Sequence, residues 1–462
     1  MTPGIFTLRK QELRRRINSL PLEVKSWRAA TEAEIDKNAH FSQLQAIEIL
    51  TDALVDQQST MIDALDPAGD GEAFKNGCMQ LVNNIIRAQK TWDFFRDKLD
   101  LRHSPAHKDT LWVADTIAWD CHRPVMERAV QFGIINRNHL REPPLVYCTA
   151  EYSPATWVRG SRPNDGRAYD LGETRLPIPV IELPWDHLGC AWEYLALHHE
   201  VGHDIEADLK LRPVLQQSLE DELSEAGVPD SRIKIWLKWE GEVFADFCGL
   251  ELGGPAFADS LMHLLLLPSV TVKTLDQNDP HPTHYPRVLM NAEYIRRVLG
   301  TSPAKLETSQ TMKDHATRIE TTWKDIYGNT SGNPDLDALL DDVSLVAQAL
   351  MNTKFAELRN HTVREMIPYT EADDLRIRSA ERFFRTGMNR PSALPIRHTV
   401  SAARIALTKA GQDGPVSDQL CDEINQRVED YVRQSAPSGL RGGGATEHEK
   451  FIASFTERMF PA

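Results

Sequence analysis

The residues with the clearest chemical potential are two histidines and a glutamate in one short run, His199, Glu200 and His203. Apolar residues recur at helical spacing through the same stretch and predict a helix. Residues i and i+4 lie one turn apart on one helix face, so both imidazoles can bind a single metal ion. Glu200 then lies beside the ion and can take a proton from a water molecule that the metal activates.

A third ligand is offered downstream by a second stretch with helical periodicity. Glu242 and Asp246 are four residues apart and share a helix face. Glu242 can complete a His, His, Glu zinc site with water in the open fourth position. Asp246 can accept the free ring N–H of a ligand histidine and fix its tautomer. An exposed acidic face is the alternative interpretation, but the neighbouring Val243 and Phe244 favour a buried one.

These residues resemble the gluzincin metallopeptidases, the thermolysin-like superfamily, in which His-Glu-x-x-His is followed by Glu-x-x-x-Asp on a later helix. The segment around His281 and Arg287 resembles the His-Pro-x-x-x-x-Arg segment of HtpX-like and CAAX-processing peptidases. The resemblance covers residues 176–300. Those relatives carry membrane spans, whereas this sequence shows none, so the resemblance implies the mechanism and leaves the substrate open.

The segment that contains His281 and Arg287 has two possible roles. One of His281, His284, Tyr285 or Arg287 could stabilise a tetrahedral oxyanion or bind a substrate carboxylate. In the alternative, Arg287 belongs to a proline-rich loop and pairs with an acidic neighbour. The match to the family segment favours His281 and Arg287.

A metzincin site is excluded by the residues that follow the motif. That class needs a glycine and then a histidine at fixed distances after the second ligand. Glu206 and Leu209 occupy those positions here.

The net charge and the cysteines restrict partners and location. The chain has 52 Lys and Arg against 67 Asp and Glu, a net charge of −15. Nucleic acid is therefore not expected as a partner, because phosphate binding needs a basic face. The six cysteines are scattered and the first residues lack an apolar secretory segment, which predicts a cytoplasmic protein. The longest apolar run, 261–268, is too short to cross a bilayer, so no integral membrane association is expected.

The pattern of elements predicts a predominantly helical α+β fold. Strand signals are confined to 145–150, 152–159 and 176–184, with a loop or hairpin over 161–174. We therefore expect an N-terminal helical region (1–105), a zincin-like catalytic domain with a small sheet (106–300) and a C-terminal helical region (301–462). The prolines around 176–184 favour a sheet edge. The resemblance implies that an extended substrate pairs with such an edge strand.

Three functions remain compatible with the sequence. The first is a zinc-dependent metallopeptidase that acts on a peptide or protein, with Glu200 as general base. The second is a non-catalytic helical interaction or scaffold protein with a structural zinc site. Such sites usually have four protein ligands, often thiolates, and only Cys190 or Cys248 could supply one. The third is a zinc hydrolase of a non-peptide amide.

Overall fold

A computed structural model describes residues 2–32, 41–137, 140–162, 174–276, 278–299 and 309–436. Helices account for 73% of the structure and a small mixed sheet has three strands. The prediction of a predominantly helical α+β fold is therefore confirmed. The predicted loop or hairpin over 161–174 lies mostly outside the described residues.

Three long helices form an N-terminal layer: α1 (Thr2–Glu32), α2 (Phe41–Ala64) and α3 (Gly71–Asp100). Asp70 begins α3 as its N-cap, because its side chain accepts a hydrogen bond from the Glu72 N–H. Apolar residues at helical spacing, such as Leu13 and Ile17 of α1, face a shared buried core.

The sheet consists of β1 (Leu145–Thr149), β2 (Ala155–Trp157) and β3 (Val180–Pro184) in the order β1-β3-β2. Strand β3 pairs parallel to β1 and antiparallel to β2. The expected edge position of the 176–184 segment is wrong, because β3 is the central strand. Its prolines are compatible with this position, since Pro177 and Pro179 precede the strand and Pro184 ends it. The edge strands are β1 and β2.

The sheet lies between two layers of helices because its side chains alternate between two faces. Leu145 and Val180 contribute to the core of α1 to α3. Their neighbours Val146 and Ile181 face the opposite, larger core. The buried Asp115 carboxylate anchors β1 to that larger core, since it accepts the Val146 N–H at 2.9 Å.

The larger core is built by the middle helices, α4 (Lys108–Gln131), α5 (Ala196–Asp208), α6 (Arg212–Glu225), α7 (Asp230–Gly253), α8 (Pro255–Leu264), α9 (Ser269–Lys273) and α10 (His284–Arg297). A 3₁₀ turn, Ala191–Leu195, leads directly into α5. Helices α5 and α7 approach closely at Gly202, where an added Cβ would lie 2.9 Å from the Ala245 Cα. Glycine is therefore required at this crossing.

The C-terminal helices extend the same core: α11 (Gln310–Tyr327), α12 (Pro334–Ala347), α13 (Val363–Met366), α14 (Glu371–Thr386), α15 (Ile396–Asp413) and α16 (Asp418–Ser435). Helix α15 is fixed to the end of α7, because the Ser401 hydroxyl donates to the Gly253 carbonyl at 2.9 Å. One buried cluster runs from Val113 to Val432. The three-domain division remains a prediction. Among the helices described, none has the length and apolar character needed to cross a membrane.

Candidate metal centre

Three possible metal donors meet where α5 crosses α7. The Nε2 atoms of His199 and His203 lie 3.2 Å apart. The Glu242 carboxylate lies 3.3 Å from His199 Nε2 through Oε2 and 3.4 Å from His203 Nε2 through Oε1. All three donors fall within 4.8 Å of one another, and this group could hold a metal ion.

Asp246 and Arg287 support these donors from behind. The His199 Nδ1 atom lies 2.9 Å from Asp246 Oδ1, on the side of the ring away from the donor atom. Arg287 of α10 donates two hydrogen bonds of 2.8 Å to Asp246 and one of 3.3 Å to Glu242. Asn291, one turn along α10, donates to Asp246 at 3.2 Å. The fully buried Asp246 carboxylate is therefore held in one orientation.

Charges within the site set the protonation of its acids. Burial opposes ionisation of Glu242, but hydrogen bonds with His199 and His203 hold the pKa of Glu242 well below its ordinary value. Burial also opposes ionisation of Asp246, and Arg287 outweighs it, so that the pKa of Asp246 falls to about 2. Burial disfavours charge on His199, yet Asp246 and Glu242 raise the pKa of that histidine to about 10. Both acids are thus anionic at neutral pH, whereas His199 must release a proton when it binds a metal ion.

Close packing at Gly202 lets the metal donors of α5 and α7 meet. An added Cβ at Gly202 would also lie 3.0 Å from the Cys248 Cβ, so the small residue lets the ligand face of α5 approach α7. The Phe257 ring of α8 lies nearly parallel to the His199 ring, with centroids 6.4 Å apart. The metal donors therefore belong to two closely packed helices rather than to loops.

Glu200 lies next to the donors and is held by the sheet. The Thr156 hydroxyl of β2 donates to Glu200 Oε2 at 2.6 Å. Glu200 is only 5% exposed, yet it lines the cleft described below. Its carboxylate is therefore fixed by Thr156 at the border of the cleft and retains acceptor capacity.

His281 approaches the site from the segment before α10. Its Nδ1 atom pairs with Asp279 Oδ1 at 2.8 Å, and its Nε2 atom lies 3.6 Å from Glu242 Oε1. The ring is 55% exposed and borders the cleft. Arg287, by contrast, is buried and pairs with the carboxylates of Glu242 and Asp246. This agrees with the alternative interpretation of the sequence, in which Arg287 pairs with an acidic neighbour. Tyr285 is directed elsewhere, because its hydroxyl donates to the Gly328 carbonyl at 3.0 Å.

A cleft of about 1140 Å³ opens over the donors. Strand β2 borders it through Ala155 and Thr156, and α8 borders it through Phe257 and Leu261. The three donors, Glu200 and His281 all line this one space. A molecule in the cleft could therefore reach the donor group and the Glu200 carboxylate together.

The structure brings together the residues selected from the sequence: His199, Glu200, His203, Glu242, Asp246, His281 and Arg287. Sequence reasoning missed Thr156 and Asn291, which no local pattern marks. Asp279 could have been found, because an aspartate two residues before His281 can hold the imidazole of that histidine. Cys190 and Cys248, considered as further ligands, do not join the donor group in the part of the chain that is described.

No protein-family model, curated protein or solved structure matches this chain. The case for its function therefore depends on the geometry of the site.

Proposed function

We propose that this chain is a zinc-dependent metallopeptidase of the gluzincin type, with a zincin-like core. The observation that carries the proposal is the meeting of His199, His203 and Glu242 in an open cleft, with Glu200 beside them. A peptide or protein is the proposed substrate. The cytoplasm is the proposed location, because all six cysteines are free thiols, which suits a reducing compartment.

The spacing of the donors supports zinc. Zinc binds histidine nitrogen and carboxylate oxygen in tetrahedral geometry with bonds of about 2.0–2.2 Å. Such bonds place neighbouring donor atoms about 3.3 Å apart, which is the edge of the tetrahedron. The closest approaches among the three donors are 3.2, 3.3 and 3.4 Å. The last two distances run to different oxygens of Glu242, so each histidine nitrogen has one carboxylate oxygen at this spacing. One donor atom from each of the three residues fits within 4.8 Å, and in this proposal the fourth corner faces the cleft.

The catalytic roles follow from the surrounding residues. When bound, zinc supplies a Lewis acid that polarises a peptide carbonyl and lowers the pKa of water. Glu200 takes a proton from the attacking water and gives it to the nitrogen of the leaving amine. Thr156 keeps the Glu200 carboxylate in place. His281, oriented by Asp279, is the proposed donor to the developing oxyanion.

The edge strand supports a peptide as substrate. Strand β2 forms one wall of the cleft and pairs with β3 along its other edge. An extended peptide can add to such an edge through backbone hydrogen bonds. The carbonyl of a peptide bound there would lie near the donors, because the Thr156 side chain of the same strand contacts Glu200.

The test begins with zinc content by elemental analysis. We expect about one zinc per chain in the wild type and much less in Glu242→Ala. Glu220→Ala, an exposed change on α6, is the matched control and should retain the metal. No zinc in the wild type after supplementation would overturn the proposal.

Hydrolysis is then measured on a mixed peptide library by mass spectrometry. Glu200→Gln should retain zinc and lose turnover, since its amide cannot accept the proton. Full activity in that variant would contradict the mechanism. Zinc binding without hydrolysis of any peptide would instead favour a non-peptide amide substrate or a structural zinc site.

A further inference from the structure

The cleft extends beyond the metal donors along the N-terminal extension of α5. Glu193, Ala196, His199 and His203 all line it and follow one another at intervals of three or four residues. They therefore form one stripe on the continuous helix. With a rise of about 2.0 Å per residue in the 3₁₀ turn and about 1.5 Å in the α-helix, Glu193 lies roughly 10 Å from His199 along the axis.

This end of the cleft combines apolar walls with polar groups. Ala196, Phe257 and Leu261 provide the walls. The Ser260 hydroxyl lies 3.4 Å from Glu193 Oε2. His187 also lines this space and is only 8% exposed. Its Nδ1 atom is buried and has no hydrogen-bond partner among the described residues. Polar hydrogen-bonding capacity is therefore left unused at this end.

The Glu193 carboxylate is only loosely held. Its ion-pair partner among the described residues is Arg404, with Nη1 3.6 Å from Glu193 Oε1, longer than a hydrogen bond. Arg287, in comparison, holds Asp246 at 2.8 Å. The Glu193 side chain is also 23% exposed, whereas Arg404 is buried behind it. The carboxylate can therefore accept further hydrogen bonds from a group in the cleft.

We infer that this end of the cleft, defined by Glu193, Ser260 and the apolar walls, binds a lysine or arginine side chain of the substrate. The walls suit the aliphatic stem of such a side chain, and the carboxylate suits its cationic end. The net charge of −15 favours the approach of cationic peptides. This inference rests on the proposed peptidase function.

The distance between Glu193 and the metal donors limits the position of the basic residue in the peptide. An extended chain advances about 3.4 Å per residue. Glu193 lies roughly 10 Å from the metal donors, where the scissile carbonyl would bind. A lysine or arginine can span this distance only if it lies within two positions of the scissile bond. The inference therefore predicts a preference close to the cleavage site.

The experiment measures cleavage of a peptide library by the zinc-loaded full-length protein. We expect lysine or arginine to be enriched at one position within two residues of the cleaved bond. A matched pair of peptides then carries lysine or norleucine at that position. The lysine peptide should have a kcat/KM about tenfold higher or more, the size expected for a hydrogen-bonded charge.

Variants identify the residue responsible. Glu193→Gln should lower the ratio of kcat/KM for the lysine and norleucine peptides by about tenfold or more, and Glu193→Lys should make glutamate the preferred residue. Glu151→Gln, which changes another carboxylate of the cleft, is the control and should leave the ratio unchanged. If Glu193→Gln fails to fold, the cleavage profile of the wild type alone tests whether a basic residue is preferred. Hydrolysis without a basic preference overturns this inference only, whereas no hydrolysis of any peptide overturns the proposed function as well.

Discussion

The Thr156 hydroxyl donates a hydrogen bond of 2.6 Å to the Glu200 carboxylate and thereby joins strand β2 to the motif helix α5. The same hydroxyl lies 3.3 Å from the Glu200 carbonyl oxygen. Because the wall of the cleft and the proposed general base are connected directly, the base is held in place before any substrate binds. Such preorganisation contributes to rate when the bound geometry must match the transition state.

Replacing Thr156 by valine tests this role, since valine retains the shape and removes the donor. We expect kcat to fall by about tenfold or more, because a hydrogen bond to a charged group contributes about 1.5–3 kcal/mol. KM and zinc content should stay close to the wild-type values. Steady-state kinetics on one peptide measure both constants.

Thr156→Ser is the matched control, because serine restores the hydroxyl. Recovery of most of kcat in this variant separates positioning of Glu200 from packing of β2. If the serine and valine variants are equally impaired, the hydroxyl has no special part in turnover.

Asp246→Asn should weaken zinc binding by about ten- to a hundredfold, the usual effect of losing the partner of a ligand histidine. The asparagine loses the charge that faces the His199 Nδ1 atom and leaves Arg287 without its principal carboxylate. Competition against a fluorescent zinc chelator measures the change. Asp230→Asn, at the exposed start of the same helix, should bind zinc as the wild type does, and equal affinities in all three proteins would contradict this role.

Gly202→Ala should force α5 and α7 apart, since the new methyl group would lie 2.9 Å from one backbone atom of α7. We expect a loss of about 1–3 kcal/mol in the free energy of unfolding, typical of an overpacked core. Zinc occupancy should fall as well, because the donors come from both helices. Urea unfolding with parallel zinc analysis measures the two effects. Gly189→Ala, which has no atom within 4 Å of the new methyl group, should change neither.

Asp208→Asn should destabilise the end of α5. The buried Asp208 carboxylate lies within 3.0 Å of His122, Arg141 and Arg159. Removing one partner from such a buried cluster costs about 3–5 kcal/mol. Urea unfolding at pH 7 measures this cost. The exposed Asp221→Asn is the control and should unfold like the wild type.

The contribution of Asp208 to stability should depend on pH, and Asp208→Asn tests this dependence. Burial opposes ionisation of Asp208, but Arg159 and His122 outweigh it and hold the pKa of Asp208 below its ordinary value. The unfolded value is about 3.9, so the carboxylate stabilises the fold above about pH 4 and this contribution is lost as pH falls further. The difference between wild type and variant should therefore be constant from pH 7 to 5 and shrink in stronger acid. A difference that grows with acidification would contradict this assignment.

The helices and the metal donors could be predicted because their signals are local. The i, i+4 spacing of His199 and His203, and of Glu242 and Asp246, requires only that each stretch be helical. The apolar neighbours Val243 and Phe244 predict a buried face, and Asp246 is buried. Helix periodicity likewise predicted the long flanking helices from short segments of sequence.

The arrangement of the sheet could not be obtained in this way. Whether β3 is central depends on which strands pair with it, and those pairings join residues far apart in sequence. The prolines predict an edge strand, yet they lie before the strand and at its end and leave its interior free to pair. Thr156 was missed for the same reason, because its contact with Glu200 exists only after β2 pairs with β3.

The contact of Arg287 with both Asp246 and Glu242 has an electrostatic consequence. Glu200, Glu242 and Asp246 are three carboxylates, and among the described residues the Arg287 guanidinium pairs with two of them. Together they carry a formal charge of −2, so a divalent ion would make this group electrically neutral. Without Arg287 a divalent ion would leave a surplus negative charge in this group, which would disfavour the oxyanion of the proposed reaction. The arginine thus brings this group of carboxylates to the charge that a divalent ion would neutralise.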